Sequence, residues 1–263
     1  MAEELKDLIM TQIKRDAIQS MLKKGQRLDQ RGFDEYRKIE VQKNAIPNAE
    51  GSALTKLGNT QVLVGAKFDV VTPFPDRPKE GVMVSNADLL PLAHGSFEPG
   101  PPNEDAIELA RVVDRGIRSS NNIDLKSFFI TEGKVLSLYL DMYVLDYSGN
   151  YTDAASISAM SALTCARMPK IENNVIVRGE YTGLLKLTSH PVTTSFVKIG
   201  ETWLVDPTAD EERVADTKIT IATTKDHVCA IQKGPGKLTK QELMDNIEVA
   251  FKRGNDLRKI ILQ

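Results

Sequence analysis

Asp206, Asp210, Glu211, Glu212 and Asp216 place five carboxylates in one short stretch, and Lys218 follows where that run meets a β-patterned segment. Clustered carboxylates could hold magnesium, which takes one or two of them and fills its remaining positions with water and substrate phosphates. If "TKITIA" is a strand, Asp216, Lys218 and Thr220 share one side of it. A lysine there brings positive charge and no acceptor lone pair, so it competes with a divalent ion instead of binding one. The residues alone read either as the outline of a metal site or as a solvated acidic loop with Lys218 and Arg213 as internal partners.

A second constellation is cationic. At about 100° per residue, Arg111, Arg115 and Arg118 fall on one face of a helix opened by Asn103, while Ala106, Ala110, Val113 and Ile117 form the opposite face. Guanidinium groups one helical turn apart can each engage a phosphate oxygen, following a nucleic-acid backbone without reading its bases. The alternative is a solvated face with local pairing to Asp114 and Glu108. His94, His190 and His227 stand alone without metal-ligand spacing, and no GxSxG, Walker or GxGxxG motif occurs. "QKGPGK" lacks the second glycine and the following Ser/Thr of a phosphate loop and reads as a turn before the final helix.

The surrounding elements are legible from periodicity. Leu5, Leu8, Ile9, Ile13, Ala17, Met21 and Leu22 recur at helical spacing, and Gly25 is placed to end that helix. After a basic linker, "GSALTKLGNTQVLVGAKFDVV" reads as a hairpin around Gly58-Asn59. Further strands follow in "GVMVSNADLLPL" and in "VLSLYLDMYVLD", where Leu136, Leu138 and Leu140 oppose Tyr139, Asp141 and Tyr143. Glu104 and Asp105 suit the positive end of the helix that Asn103 caps. A small-sided, buried helix runs through "TDAASISAMSALTCARM". Short strands return beyond residue 170, and "TKQE" after Leu238 matches a capping box for a closing helix. The expectation is α+β: an N-terminal helix over 1–25, then two packed mixed-sheet and helix domains over 26–187 and 188–263.

Thirty-four basic and thirty-six acidic side chains leave a net charge of -2, so any nucleic-acid binding must come from a local patch. Cys165 and Cys229 are far apart without CxxC spacing, which argues against a disulfide framework or structural zinc. The N-terminus carries Glu3, Glu4 and Asp7 and no uninterrupted apolar run. The expectation is a soluble, cytoplasmic protein with no membrane association.

Several stretches together resemble a known family. "GQRLDQRGFDEYRKIEV", "GSALTKLGNTQVLVGAKFD", "LPLAHGSFEPGPPNEDAIELARVVDRGIRSS", "LDMYVLDYSGNYTDAA" and "WLVDPTADEE" are similar to the RNase PH family, most of all to the non-catalytic RNase PH-like ring subunit of the archaeal exosome. The resemblance implies an RNase PH-like fold and a hetero-hexameric ring, a trimer of dimers with a catalytic RNase PH-like subunit. That ring degrades single-stranded RNA from the 3′ end by phosphorolysis and carries RNA-binding cap proteins.

Active members of the family carry an Asp in an "ED" pair and a second Asp six residues later; the matching positions here are Glu212 and Lys218. Their phosphate-binding "GGTRxAA" turn corresponds to "GNYTDAA", with Thr152 at the arginine position and Asp153, expected to repel phosphate, beside it. The resemblance therefore implies no catalytic residue, no metal and no cofactor in this chain, and it assigns RNA binding to Arg111, Arg115 and Arg118. Two other readings are kept: a self-sufficient phosphorolytic 3′-to-5′ exoribonuclease with carboxylates relocated to Asp206 and Asp216, and a stand-alone RNA-binding module. The N-terminal helix is a candidate either for packing between subunits or for attachment to its own domain.

Overall fold

The computed structural model describes residues 2–263, and side chains from Met10 onward. Its first sheet runs in the order β1 (Ile39–Lys43), β2 (Gly51–Leu57), β3 (Thr60–Val71), β6 (Lys134–Asp146), β4 (Val82–Leu89), with β5 (Phe129–Thr131) paired to β6. All pairs are antiparallel except β4 with β6. The expected hairpin turns at Gly58, whose positive φ of 57° suits glycine and pairs Leu57 with Thr60. Val62, Val64, Ala66 and Phe68 are buried on one face of β3, and Leu136, Leu138 and Leu140 on that of β6. Tyr143 on the opposite face is exposed. Strand β1 lies in the segment expected to be a linker; its apolar positions, Ile39 and Val41, are too few to stand out among the basic residues around them.

Two helices cover the buried face of this sheet. Helix α2 (Glu104–Ser119) starts as expected at Asn103, whose side chain accepts from the Ala106 N–H at 2.9 Å. Helix α3 (Tyr151–Thr164) is buried from Thr152 to Leu163, and its Ser158 hydroxyl donates to the Ala53 carbonyl at 2.7 Å. It stops short of the expected end. Arg167–Glu172 forms β7, paired with β8 (Val175–Leu184), because the helix ends where Ala166 N–H turns back to Leu163.

The second sheet is antiparallel, in the order β10 (Thr202–Val205), β9 (Val192–Ile199), β11 (Thr217–Thr223), β12 (Val228–Lys233). Helix α3 packs against one face of β9. Helix α5 (Lys240–Leu262), with the expected Thr239–Glu242 capping box, covers the other. Its Ala250 meets Phe196, Ile219 and Ile221, while Leu257 and Ile261 join the core of the first sheet. One helix thus anchors both sheets.

Helix α1 (Ala2–Lys23) ends at Gly25, at φ 76°. It packs onto its own chain: Ile18 and Leu22 are buried with Val197, Ile199, Leu204 and Val214. The side chains of Leu5, Leu8 and Ile9 lie outside the described ones. The inward face is not the expected apolar stripe, since Ile13 is 57% exposed and Ala17 is exposed as well. Ion pairs set the rotation of the helix, Lys14 to Asp210 at 2.7 Å and Arg15 to Asp216.

Candidate functional site

Each of the five clustered carboxylates has a cationic partner, and for all but Glu212 those partners lie between residues 14 and 37. Asp206 is fully buried and accepts from Arg31 Nη1 at 2.9 Å, Arg37 Nη2 at 2.7 Å and Asn150 Nδ2 at 2.8 Å. Glu211, in the first turn of the short helix α4 (Ala209–Val214), takes a bidentate pair from the buried Arg27, Nε to Oε1 at 3.0 Å and Nη2 to Oε2 at 2.7 Å. Asp210 pairs with Lys14, and Asp216 with Arg15 and the Gly200 N–H. The reading of a solvated acidic loop is therefore corrected. Most of the cluster is a clamp that fastens the N-terminal segment to the second sheet. Asp206 and Asp216, the carboxylates of the self-sufficient-enzyme reading, are spent on that clamp.

Asp210 also lines a cleft, and so does Glu212. Glu212 accepts from Tyr147 Oη at 2.8 Å and from Lys218 Nζ at 2.9 Å. Burial by itself would depress the Lys218 ammonium, but the Glu212 carboxylate outweighs it and holds the group above the ordinary lysine range. Lys218 stays charged at any physiological pH and occupies the place where a divalent ion would meet Glu212. Burial pushes the Tyr151 phenol up to about 12, so it too keeps its proton. Tyr147, Tyr151 and His94 form an aromatic wall of this cleft, His94 meeting Tyr147 edge-on at 5.3 Å. Tyr147 was missed by sequence reasoning, and a contact across 65 positions leaves no local signal. No group of three His, Cys, Asp or Glu side chains suited to a metal occurs among the described residues.

Asp153 is a correction. It does not face the cleft and cannot repel phosphate there. It is fully buried and accepts from Tyr36 Oη, Asn150 Nδ2, Thr193 Oγ1, and the N–H and Oγ of Ser195, all within 2.8–3.0 Å. Burial raises its pKa, while these donors oppose the shift. The physical reason is its place on α3, where the first turn points Asp153 at β9. Thr152, also buried, supplies no guanidinium to the turn.

The helix α2 divides as its periodicity predicts. Ala106, Ala110, Val113 and Ile117 are buried, and Arg111, Arg115 and Arg118 are exposed. The three arginines line one open hollow of about 410 Å³ between α2 and the edge strand β4. They are not equivalent. Arg118 is tied down, Nε and Nη2 to Asp114 at 3.0 and 2.9 Å and Nη2 to the Met83 carbonyl at 3.0 Å. Arg111 and Arg115 make no hydrogen bond or ion pair among the described residues, so the expected local pairing accounts for Arg118 alone.

Two packed sheets hold a cleft where Glu212 meets Lys218, and α2 presents two arginines that are unpaired among the described residues. The chain belongs to the 3′ exoribonuclease family, RNase PH: the family's domain 1 matches residues 35–169 and its domain 2 matches residues 189–253. Over nearly its whole length it is similar to the exosome complex component Rrp42 of Pyrococcus abyssi, 48% identical over 262 residues that cover 97% of this chain and 96% of that protein. The component of the same name from Archaeoglobus fulgidus is 45% identical over 254 residues, 95% of this chain and 96% of that protein. Among solved structures, the Archaeoglobus fulgidus exosome with RNA bound to the active site contains a chain that superposes with a TM-score of 0.88 at 45% identity, covering 95% of this chain and 98% of that one. Rice Rrp46, 15% identical with a TM-score of 0.71 over 90% of this chain and 99% of that one, shares the fold. No helix among the described residues is long and apolar enough to cross a membrane.

Proposed function

We propose that this chain is the catalytically silent, RNA-binding ring subunit of a cytoplasmic archaeal exosome. It assembles with a homologous catalytic subunit as a trimer of heterodimers beneath RNA-binding cap proteins, and it supports 3′-to-5′ phosphorolysis of single-stranded RNA by that partner. The observation that carries the reading is the Lys218 ammonium 2.9 Å from Glu212, a fixed cation where a catalytic member would need a second carboxylate. Support for the RNA role comes from Arg111 and Arg115, exposed and unpaired on α2, which suit phosphate contacts that position a strand without reading its sequence. Holding the 3′ end still is a contribution to catalysis that needs no reacting group, and positioning supplies about 7 kcal/mol or more in favourable cases.

The test is Lys218→Met, which keeps the aliphatic stem and removes the charge. In a ring assembled with the catalytic homologue, phosphate-dependent release of nucleoside diphosphates should stay close to wild type. A large loss of turnover with assembly intact would show that the cleft still works.

A further inference from the structure

The hollow between α2 and β4 does not end with the helix. Met83 and Arg118 line it and also line a second hollow, of about 330 Å³, beyond the last turn of α2. Arg118 stands between the two as a fixed post, because Asp114 and the Met83 carbonyl hold its guanidinium from two sides. The two hollows thus lie side by side, with Met83 and Arg118 as their common wall.

The far hollow has features that α2 alone does not explain. Two more cations stand over it from separate loops: Arg77, ahead of β4, and Lys126, in the 3₁₀ turn Leu125–Phe128. Arg77 is 65% exposed, and among the described residues its one carboxylate contact is a 3.6 Å approach to its neighbour Asp76. The exposed Lys126 ammonium makes no hydrogen bond or ion pair among the described residues. Two carboxylates also line the hollow, Glu80 and Asp124, and Asp124 is engaged in capping, accepting from the Lys126 N–H at 3.0 Å. Between the charges the lining includes the apolar Ile117 and Leu125 together with the buried Asn122, whose Nδ2 is turned to the Met160 sulfur at 3.7 Å.

We propose that this second hollow is a nucleotide subsite that continues the α2 track. Arg77 and Lys126 grip the phosphodiester of the strand whose neighbouring phosphates lie along Arg111 and Arg115, and the apolar walls receive the base or ribose. The proposal rests on the RNA-binding reading of α2. Its chemistry follows from the lining: cations for phosphate and aliphatic surface for a ring. The volume lies at the small end of ligand pockets, which suits a single nucleotide.

The experiment is titration of the assembled ring with fluorescent single-stranded RNA across a salt series, comparing wild type, Arg77→Ala with Lys126→Ala, and Arg111→Ala with Arg115→Ala. Both changed sites of the first pair are on the surface, so folding is not at stake. That pair should weaken binding several-fold and reduce the slope of log affinity against log salt by about 1.4, two phosphates at about 0.7 each for a single strand. RNA carrying 4-thiouridine should crosslink to the peptide spanning residues 117–126. If the α2 pair weakens binding while the Arg77 and Lys126 pair leaves affinity and slope at wild type, the subsite is overturned and the α2 reading stands. If neither pair changes binding, both fall. Unchanged RNA affinity together with loss of ring assembly would give the hollow to a protein partner and also overturn the proposal.

Discussion

Replacing Arg27 by alanine should destabilise the isolated chain by about 3–5 kcal/mol, the cost of breaking one partner out of a buried ion pair. The Arg27 side chain is fully buried and that of Glu211 is 2% exposed, so no water replaces the lost guanidinium. Arg27 also donates to the carbonyls of Gly32, Val205 and Asp206 at 3.1–3.3 Å, and these acceptors lose their partner with it. What remains is an uncompensated carboxylate at the joint between the N-terminal segment and the second sheet. The melting temperature should fall by about 10 °C, given roughly 2–4 °C per kcal/mol for a chain of this size. Combining Arg27→Met with Glu211→Leu should recover part of the loss, because removing both charges removes the desolvation penalty while the three carbonyls and the Thr208 N–H stay without their partners. Thermal denaturation of the single and double variants measures this directly. A single-variant shift below 2 °C, or a double variant no better than the single, would mean that the pair does not hold the clamp together.

The second large effect falls on RNA. Arg111→Glu with Arg115→Glu should weaken RNA binding by the assembled ring, and slow its degradation of RNA at limiting substrate, by about 100-fold or more. Charge-assisted hydrogen bonds contribute about 1.5–3 kcal/mol each, and reversal adds repulsion to the loss. These two positions are chosen over Arg118 because Asp114 and the Met83 carbonyl already occupy that guanidinium. Arg118→Ala should therefore cost less than either free arginine. The loss should shrink in relative terms as salt rises, since phosphate contacts act through counterion release. Unchanged degradation and unchanged affinity in the double reversal would remove α2 from the RNA path.

Local patterns carried much of the fold and little of the site's wiring. The Gly58 hairpin, the Asn103 cap, the alternation through Leu136–Tyr143 and the Thr239 capping box are short-range chemistry, and each is present where the sequence predicts it. The acidic stretch behaved differently. From sequence it reads as a loop that could bind metal or water, whereas its carboxylates meet Lys14, Arg15, Arg27, Arg31 and Arg37, 169 to 201 positions away for the bonds that join them. No window along the chain contains both ends of such a pair. Asp153 illustrates the same limit, since its burial depends on Tyr36 before it and Thr193 and Ser195 after it. The arginine stripe lies between these cases: helical period places all three side chains on one face, but only the fold reveals that the Met83 carbonyl helps to hold one of them.

The division of labour in this chain is physical. In the cleft beside its second sheet Glu212 is paired with Lys218, while on α2 the guanidiniums of Arg111 and Arg115 face out, unpaired among the described residues. The chain's proposed role is to bind and position RNA for another subunit's chemistry. The most direct test is nucleoside-diphosphate release from single-stranded RNA with phosphate and magnesium, comparing the purified chain alone with the chain assembled with its catalytic homologue. Silence alone and phosphorolysis together is the predicted result. Phosphate-dependent release by this chain alone, in a preparation shown free of the partner, would contradict it and make the protein an enzyme in its own right.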